Sequence, residues 1–105
     1  MLELNDDTFA ENIYTTKKPL LIMFSAKWCN VCKEFVPKVD ELKKIYEDKV
    51  VFAEVDIDES FRLCSGLQID KLPTFIIYYK KEPITYIVGA ANISKFKEEI
   101  NKLLN

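Results

Sequence analysis

The sequence predicts an α/β fold, a mixed central sheet with helices on both faces and the element order βαβαβαββα. Three observations carry this prediction. Residues 20–26, 50–55 and 74–79 are nearly continuous apolar runs rich in strand formers, as expected of strands buried on both faces. Between the first two runs, apolar residues recur at helical spacing, so a helix returns over the sheet and the two strands run parallel. After Tyr79, the link Lys80-Lys81-Glu82-Pro83 is too short for such a crossover, and the next strand must pair antiparallel as a hairpin.

Each element has its own signal. Residues 2–4 are short enough to serve as an edge strand. The cluster Asn5-Asp6-Asp7-Thr8 can cap a first helix carrying Phe9 and Ile13, which should stop before Pro19. In the crossover helix Phe35, Val39, Leu42, Ile45 and Tyr46 fall on one face over about four turns. Pro37 lies inside it, removes an amide donor and clashes with the preceding turn, which predicts a kink. Asp58 or Ser60 opens a short third helix ending near Gly66. Residues 84–88 form the last strand, ended by Gly89. Asn92 or Ser94 then starts a closing helix whose apolar face is Ile93, Phe96, Ile100, Leu103 and Leu104.

A chain of 105 residues that is 49% hydrophobic can fill one core, so residues 1–105 are expected to form a single domain. Fifteen basic and 17 acidic residues are interspersed, giving a net charge of −2, which argues against nucleic acid or an anionic membrane as a partner. The longest apolar run is far below the roughly 20 residues of a membrane span, and acidic residues follow Met1 in place of a basic leader. A soluble, unexported, cytoplasmic protein is expected. Three cysteines are too few for a secreted disulfide framework, whereas a Cys-x-x-Cys pair in a reducing compartment points to redox or metal chemistry.

That pair, in Trp28-Cys29-Asn30-Val31-Cys32-Lys33, falls where a buried strand gives way to the amphipathic helix. Cys29 should occupy the cap region and Cys32 lie one turn inside. Unpaired amides and the positive end of the helix dipole favour a thiolate at Cys29, which makes it the expected nucleophile. One helical turn brings the two Cα atoms to about 5.5 Å, within disulfide range, so Cys32 is the expected resolving thiol. The cycle runs through attack on a substrate disulfide, a mixed disulfide, and release by Cys32; an external donor then resets the pair. Half of a structural zinc site is the competing reading, but the chain has no histidine and only one further cysteine. Two buried, inert thiols are the bland one.

Four features in order make the sequence similar to the thioredoxin family over essentially its whole length: residues 24–33 with Pro37, then Val55-Asp56-Ile57-Asp58, then Leu72-Pro73-Thr74-Phe75, then Val88-Gly89-Ala90. The resemblance implies a thioredoxin fold and a protein-disulfide reductase with no bound cofactor. Its partners would be disulfide-containing proteins and a thioredoxin reductase or equivalent donor, and it would act as a monomer. It also implies that Pro73 follows a cis bond facing the disulfide, with the Leu72 backbone pairing to an extended substrate strand; an ordinary strand-initiating proline is the alternative. Trp28, Asn30, Val31, Leu72, Pro73, Gly89 and Ala90 would then form a shallow apolar docking patch. Gly89 has a competing role as a strand end.

Two departures from the family pattern bear on mechanism. Where thioredoxins usually carry Gly-Pro between the cysteines, this chain has Asn30-Val31. Val31 supplies an amide that proline lacks, and if that amide stabilises the Cys29 thiolate the protein becomes a weaker reductant. Met23 stands where the family usually buries an aspartate that shuttles the resolving cysteine's proton. Methionine cannot, and its apolar surroundings are expected to disfavour a Cys32 thiolate. Glu54, on the neighbouring strand, is a candidate replacement acceptor, against the plain alternative that it reaches water or a lysine. Cys64 reads as a small core residue, with a regulatory thiol or dimer disulfide as alternatives. Two further functions stay open: an isomerase, oxidant or glutathione-linked protein, and a redox-silent interaction module.

Overall fold

The computed structural model describes residues 1–105. The elements are β1 (Leu2–Leu4), α1 (Phe9–Thr15), β2 (Leu20–Ser25), α2 (Asn30–Ile45), β3 (Val51–Asp56), α3 (Phe61–Gly66), β4 (Thr74–Tyr79), β5 (Glu82–Val88) and α4 (Ile93–Leu104), in the expected order. They build one five-stranded sheet with strand order β1-β3-β2-β4-β5. β1, β2 and β3 are parallel, and β4 and β5 run antiparallel beyond β2.

The pattern of apolar residues explains the placing. β2, with five consecutive buried residues, takes the centre, while β1 and the half-exposed β5 take the edges. Alternate side chains of β2 feed two cores. Leu21 and Met23 join Phe35, Val39 and Leu42 of α2 and Phe96 and Ile100 of α4 on one face. Leu20, Ile22 and Phe24 join Cys64 of α3 on the other, against Phe9 and Ile13 of α1. In the first core Phe35, Phe75 and Phe96 pack with ring centroids 4.8–5.6 Å apart.

Several local expectations need correction. The hairpin loop is two residues, not four: Lys80 and Lys81 have φ of 52° and 70°, and Glu82 and Pro83 already belong to β5. A turn with two positive φ values matches the twist of the flanking strands, and Pro83 is tolerated because β5 is an edge. Pro37 lies inside α2, as expected, and the element continues past it to Ile45. Thr8 is the N-cap of α1 but makes no side-chain cap bond. Asn5 organises the turn, its Oδ1 accepting from the amides of Asp7 (2.8 Å) and Thr8 (3.1 Å). Asp6 acts across space: its Oδ1 accepts from the Leu63 amide of α3 at 2.8 Å. Ser60 does open α3, but its buried Oγ has no partner. Asn92 caps α4, accepting from the Ser94 amide at 2.9 Å.

Candidate active site

The end of the sheet where β2 stops and β4 starts brings the expected site residues together. Phe24 pairs with Thr74, and Thr74 with Val88, so the loop after β2, the residues before β4 and the end of β5 are neighbours. Cys29 is the N-cap of α2, extended at φ −85° and ψ 102°, and Cys32 lies in the first turn. The two form a disulfide with Cα atoms 5.3 Å apart. The Cys32 amide donates to Cys29 Sγ at 3.2 Å, so the sulfur performs the capping that a serine or aspartate oxygen performs elsewhere. Both cysteines are buried, at 7% and 3% exposure, while their chain neighbours Trp28 and Val31 are exposed.

Trp28 is held rather than free. Its Nε1 donates to Asp58 Oδ2 at 2.9 Å, tying the residue before Cys29 to the loop after β3. Asp58, expected as a helix starter and as part of the Val55-Asp56-Ile57-Asp58 landmark but given no role at the site, thus lies beside it; a bond across 30 positions leaves no local signal. The Leu72–Pro73 peptide is cis. Pro73 is buried, and Leu72 packs against the core cluster containing both cysteines. The Gly89 amide donates to the Pro73 carbonyl at 2.7 Å, and Gly89 has φ of 84°. Its strand-ending role is therefore a backbone requirement, since a side chain there would be strained. Asn30 and Ala90 are exposed beside these groups in the chain.

Met23 is almost fully buried in the same cluster as Cys29 and Cys32. Glu54 is its register partner on β3 and is half-buried. A cavity of about 480 Å³ connects Glu54, Met23 and Cys32, with Glu3 of β1 and Lys33 of α2 also on its wall. Cys64 belongs to the opposite core, under α1 and α3. Burial, with smaller contributions from the carboxylates of Asp6 and Asp56, pushes its thiol up to about 11. That is the behaviour of a packing residue at neutral pH. No group of three or more histidine, cysteine, aspartate or glutamate side chains is arranged to hold a metal.

A family model described as Thioredoxin matches residues 1–102. The chain belongs to the thioredoxin family. Among its relatives, the thioredoxin of Buchnera aphidicola is 30% identical over 105 residues, covering 100% of this chain and 97% of that protein. The chloroplastic M-type thioredoxin of Chlamydomonas reinhardtii is 31% identical over 102 residues, 97% of this chain and 73% of that one. In structure, oxidised mitochondrial thioredoxin 3 of Saccharomyces cerevisiae superposes with a TM-score of 0.87 at 29% identity, over 97% of this chain and 94% of the other. The fold is the thioredoxin fold, and the cysteine pair at the start of α2 makes this family member a thiol-disulfide oxidoreductase of the protein-disulfide reductase class. No helix is long and apolar enough to cross a membrane.

Proposed function

We propose that residues 1–105 act as one catalytic domain in which Cys29 is the nucleophile and Cys32 the resolving thiol. The observation that carries this is the cap position of Cys29. In the reduced state a thiolate there faces the unpaired amides of the first turn, whereas Cys32 lies deeper with a nearly buried sulfur-bearing side chain. Cys29 attacks a protein disulfide; the Cys32 thiolate then attacks Cys29 Sγ, and the second substrate sulfur leaves as a thiol. Trp28, Asn30, Val31, Leu72, Pro73, Gly89 and Ala90 form the docking patch, with Leu72 pairing to extended substrate backbone. Their common location at one end of the sheet supports this.

Glu54 receives the Cys32 proton in place of the residue that Met23 cannot imitate; the shared cavity supports that role. The electrons come from a thioredoxin reductase or equivalent donor, and the protein works as a monomer in the reducing cytosol, where a free buried Cys64 is stable. The decisive test is trapping. Cys32→Ser should accumulate a mixed disulfide on Cys29 with a protein substrate, and Cys29→Ser should not; the reverse pattern would exchange the two roles. For Glu54, undiminished turnover of Glu54→Gln between pH 6 and 8 would remove the assignment.

A second reading, isomerase-like or glutathione-linked work, draws on Asn30-Val31. A dithiol potential at or below about −250 mV supports the reductant, and one near −200 mV or above the alternative.

A further inference from the structure

We infer that Glu3 is a positioning residue for the resolving step, acting through Glu54 as the outer member of a carboxylate pair that carries the Cys32 proton to solvent; this rests on the Glu54 assignment above. The observation is a lateral row across the whole sheet. Glu3 pairs with Glu54, Glu54 with Met23, Met23 with Phe75 and Phe75 with Ile87. In-register partners place their side chains on the same face, here the face that α2 and α4 cover. The row grades from an exposed carboxylate at Glu3, through half-buried Glu54, to three buried apolar residues.

The cavity lies over the polar half of that row. Glu3, Glu54, Met23 and Cys32 share its wall, and its volume of about 480 Å³ holds a file of water molecules at roughly 30 Å³ each. The other charged groups facing it are Lys27 and Glu59, which pair with each other at 3.7 Å, Asp56, whose Oδ1 accepts from the Asp58 amide at 2.8 Å, and Lys33 of α2. Neither Glu3 nor Glu54 is in any side-chain hydrogen bond or ion pair. The two unpartnered carboxylates are in-register neighbours on adjacent strands, about 4.8 Å apart at the backbone, and both open onto the same cavity, so water there can bridge them.

The Cys32 S–H proton passes through cavity water to a Glu54 carboxylate oxygen. The thiolate's electron pair forms the Cys32–Cys29 bond as the Cys29–substrate bond breaks. The leaving substrate thiolate takes a proton from bulk water, and Glu54 returns its own to solvent beside Glu3. Glu3 therefore provides the outward step of the relay beside Glu54 without touching either sulfur.

The test follows the reduced protein against an aromatic disulfide, 5,5′-dithiobis(2-nitrobenzoate), in stopped flow, where the first thionitrobenzoate released reports Cys29 attack and the second reports resolution by Cys32. Wild type, Glu3→Gln, Glu54→Gln and the double variant are compared across the neutral to mildly alkaline range. The first phase should be the same in all four. The second should slow about tenfold in Glu54→Gln and about threefold in Glu3→Gln, with a changed pH profile, and the double variant should be no slower than Glu54→Gln alone. If Glu54→Gln slows the second phase but Glu3→Gln does not, or if their effects multiply, the Glu3 inference is overturned and Glu54 keeps its role. If Glu54→Gln leaves the second phase unchanged, both fall.

Discussion

Helices α2 and α3 each follow a strand of the parallel half of the sheet through a short loop, and each buries a cysteine in its first turn or just beyond it. Their starting residues differ. In α2 the cap is Cys29, whose sulfur accepts the Cys32 amide. In α3 the cap is Ser60, whose hydroxyl is buried and unpartnered, while Asp6 reaches in from the β1–α1 turn to accept the Leu63 amide. Cys32 and Cys64 are both hidden, at 3% and 5% exposure, so burial does not distinguish them. What separates them is a second sulfur at the cap, within disulfide reach and facing the first-turn amides.

The largest expected effect breaks this comparison directly. Cys29→Ser should lower protein-disulfide reduction by about three orders of magnitude or more, because no other thiol stands at a helix cap. Cys64→Ala should leave turnover within about twofold and cost at most about 1–2 kcal/mol from lost packing, read by denaturant unfolding. A large loss of activity in Cys64→Ala would mean that the α3 thiol takes part in the cycle.

The same contrast predicts alkylation and its pH dependence. At neutral pH iodoacetamide should label reduced Cys29 quickly and Cys64 only on unfolding. Burial pushes the Cys64 thiol up to about 11, above its ordinary value of 9.0. A thiol whose folded value is raised supports the fold fully below its unfolded value and loses that support as pH rises through the folded one. Wild-type stability should therefore fall relative to Cys64→Ala between about pH 9 and 11, and equal slopes for the two proteins would show that Cys64 ionises freely in the fold.

The parts of this structure written in local pattern were legible in the sequence. Apolar runs and helical spacing identify the strands and α2, and the strand-to-helix position of Cys29 shows which sulfur caps the helix. What stayed hidden depends on register or on contacts distant in sequence. Asp58 bonds Trp28 from 30 positions away, and Asp6 caps a helix 57 positions away. Glu3 stands beside Glu54 only through the pairing of β1 with β3, a register that no local pattern in the sequence writes. The two-residue Lys80-Lys81 turn was obscured because neither residue is a glycine or asparagine, the usual occupants of positive φ.

A smaller effect sharpens the comparison of the two helix starts. Asp6→Ala removes the oxygen that accepts the Leu63 amide and should destabilise the protein by about 1–2 kcal/mol, a fall of roughly 5–10 °C in Tm. Ser60→Ala removes a hydroxyl that has no partner and should be neutral or slightly stabilising. If the order of these two variants is reversed, Ser60 is the cap that matters and Asp6 only a turn residue.

The smallest effect concerns α2 alone. Val31 keeps an amide in the first turn, yet in the oxidised protein the donor to Cys29 Sγ is the Cys32 amide. The Val31 amide can therefore act only after reduction, when Cys29 carries a full charge and attracts every unpaired donor of the turn. Val31→Pro deletes that donor and fixes the local backbone, which raises the free energy of the thiolate relative to the disulfide. The dithiol potential should then drop by about 20–30 mV, equivalent to roughly 1 kcal/mol for a two-electron couple. Graded dithiothreitol buffers with alkylation and mass measurement read this shift directly. An unchanged or higher potential would leave the Cys32 amide as the only backbone donor that matters to Cys29 in either state.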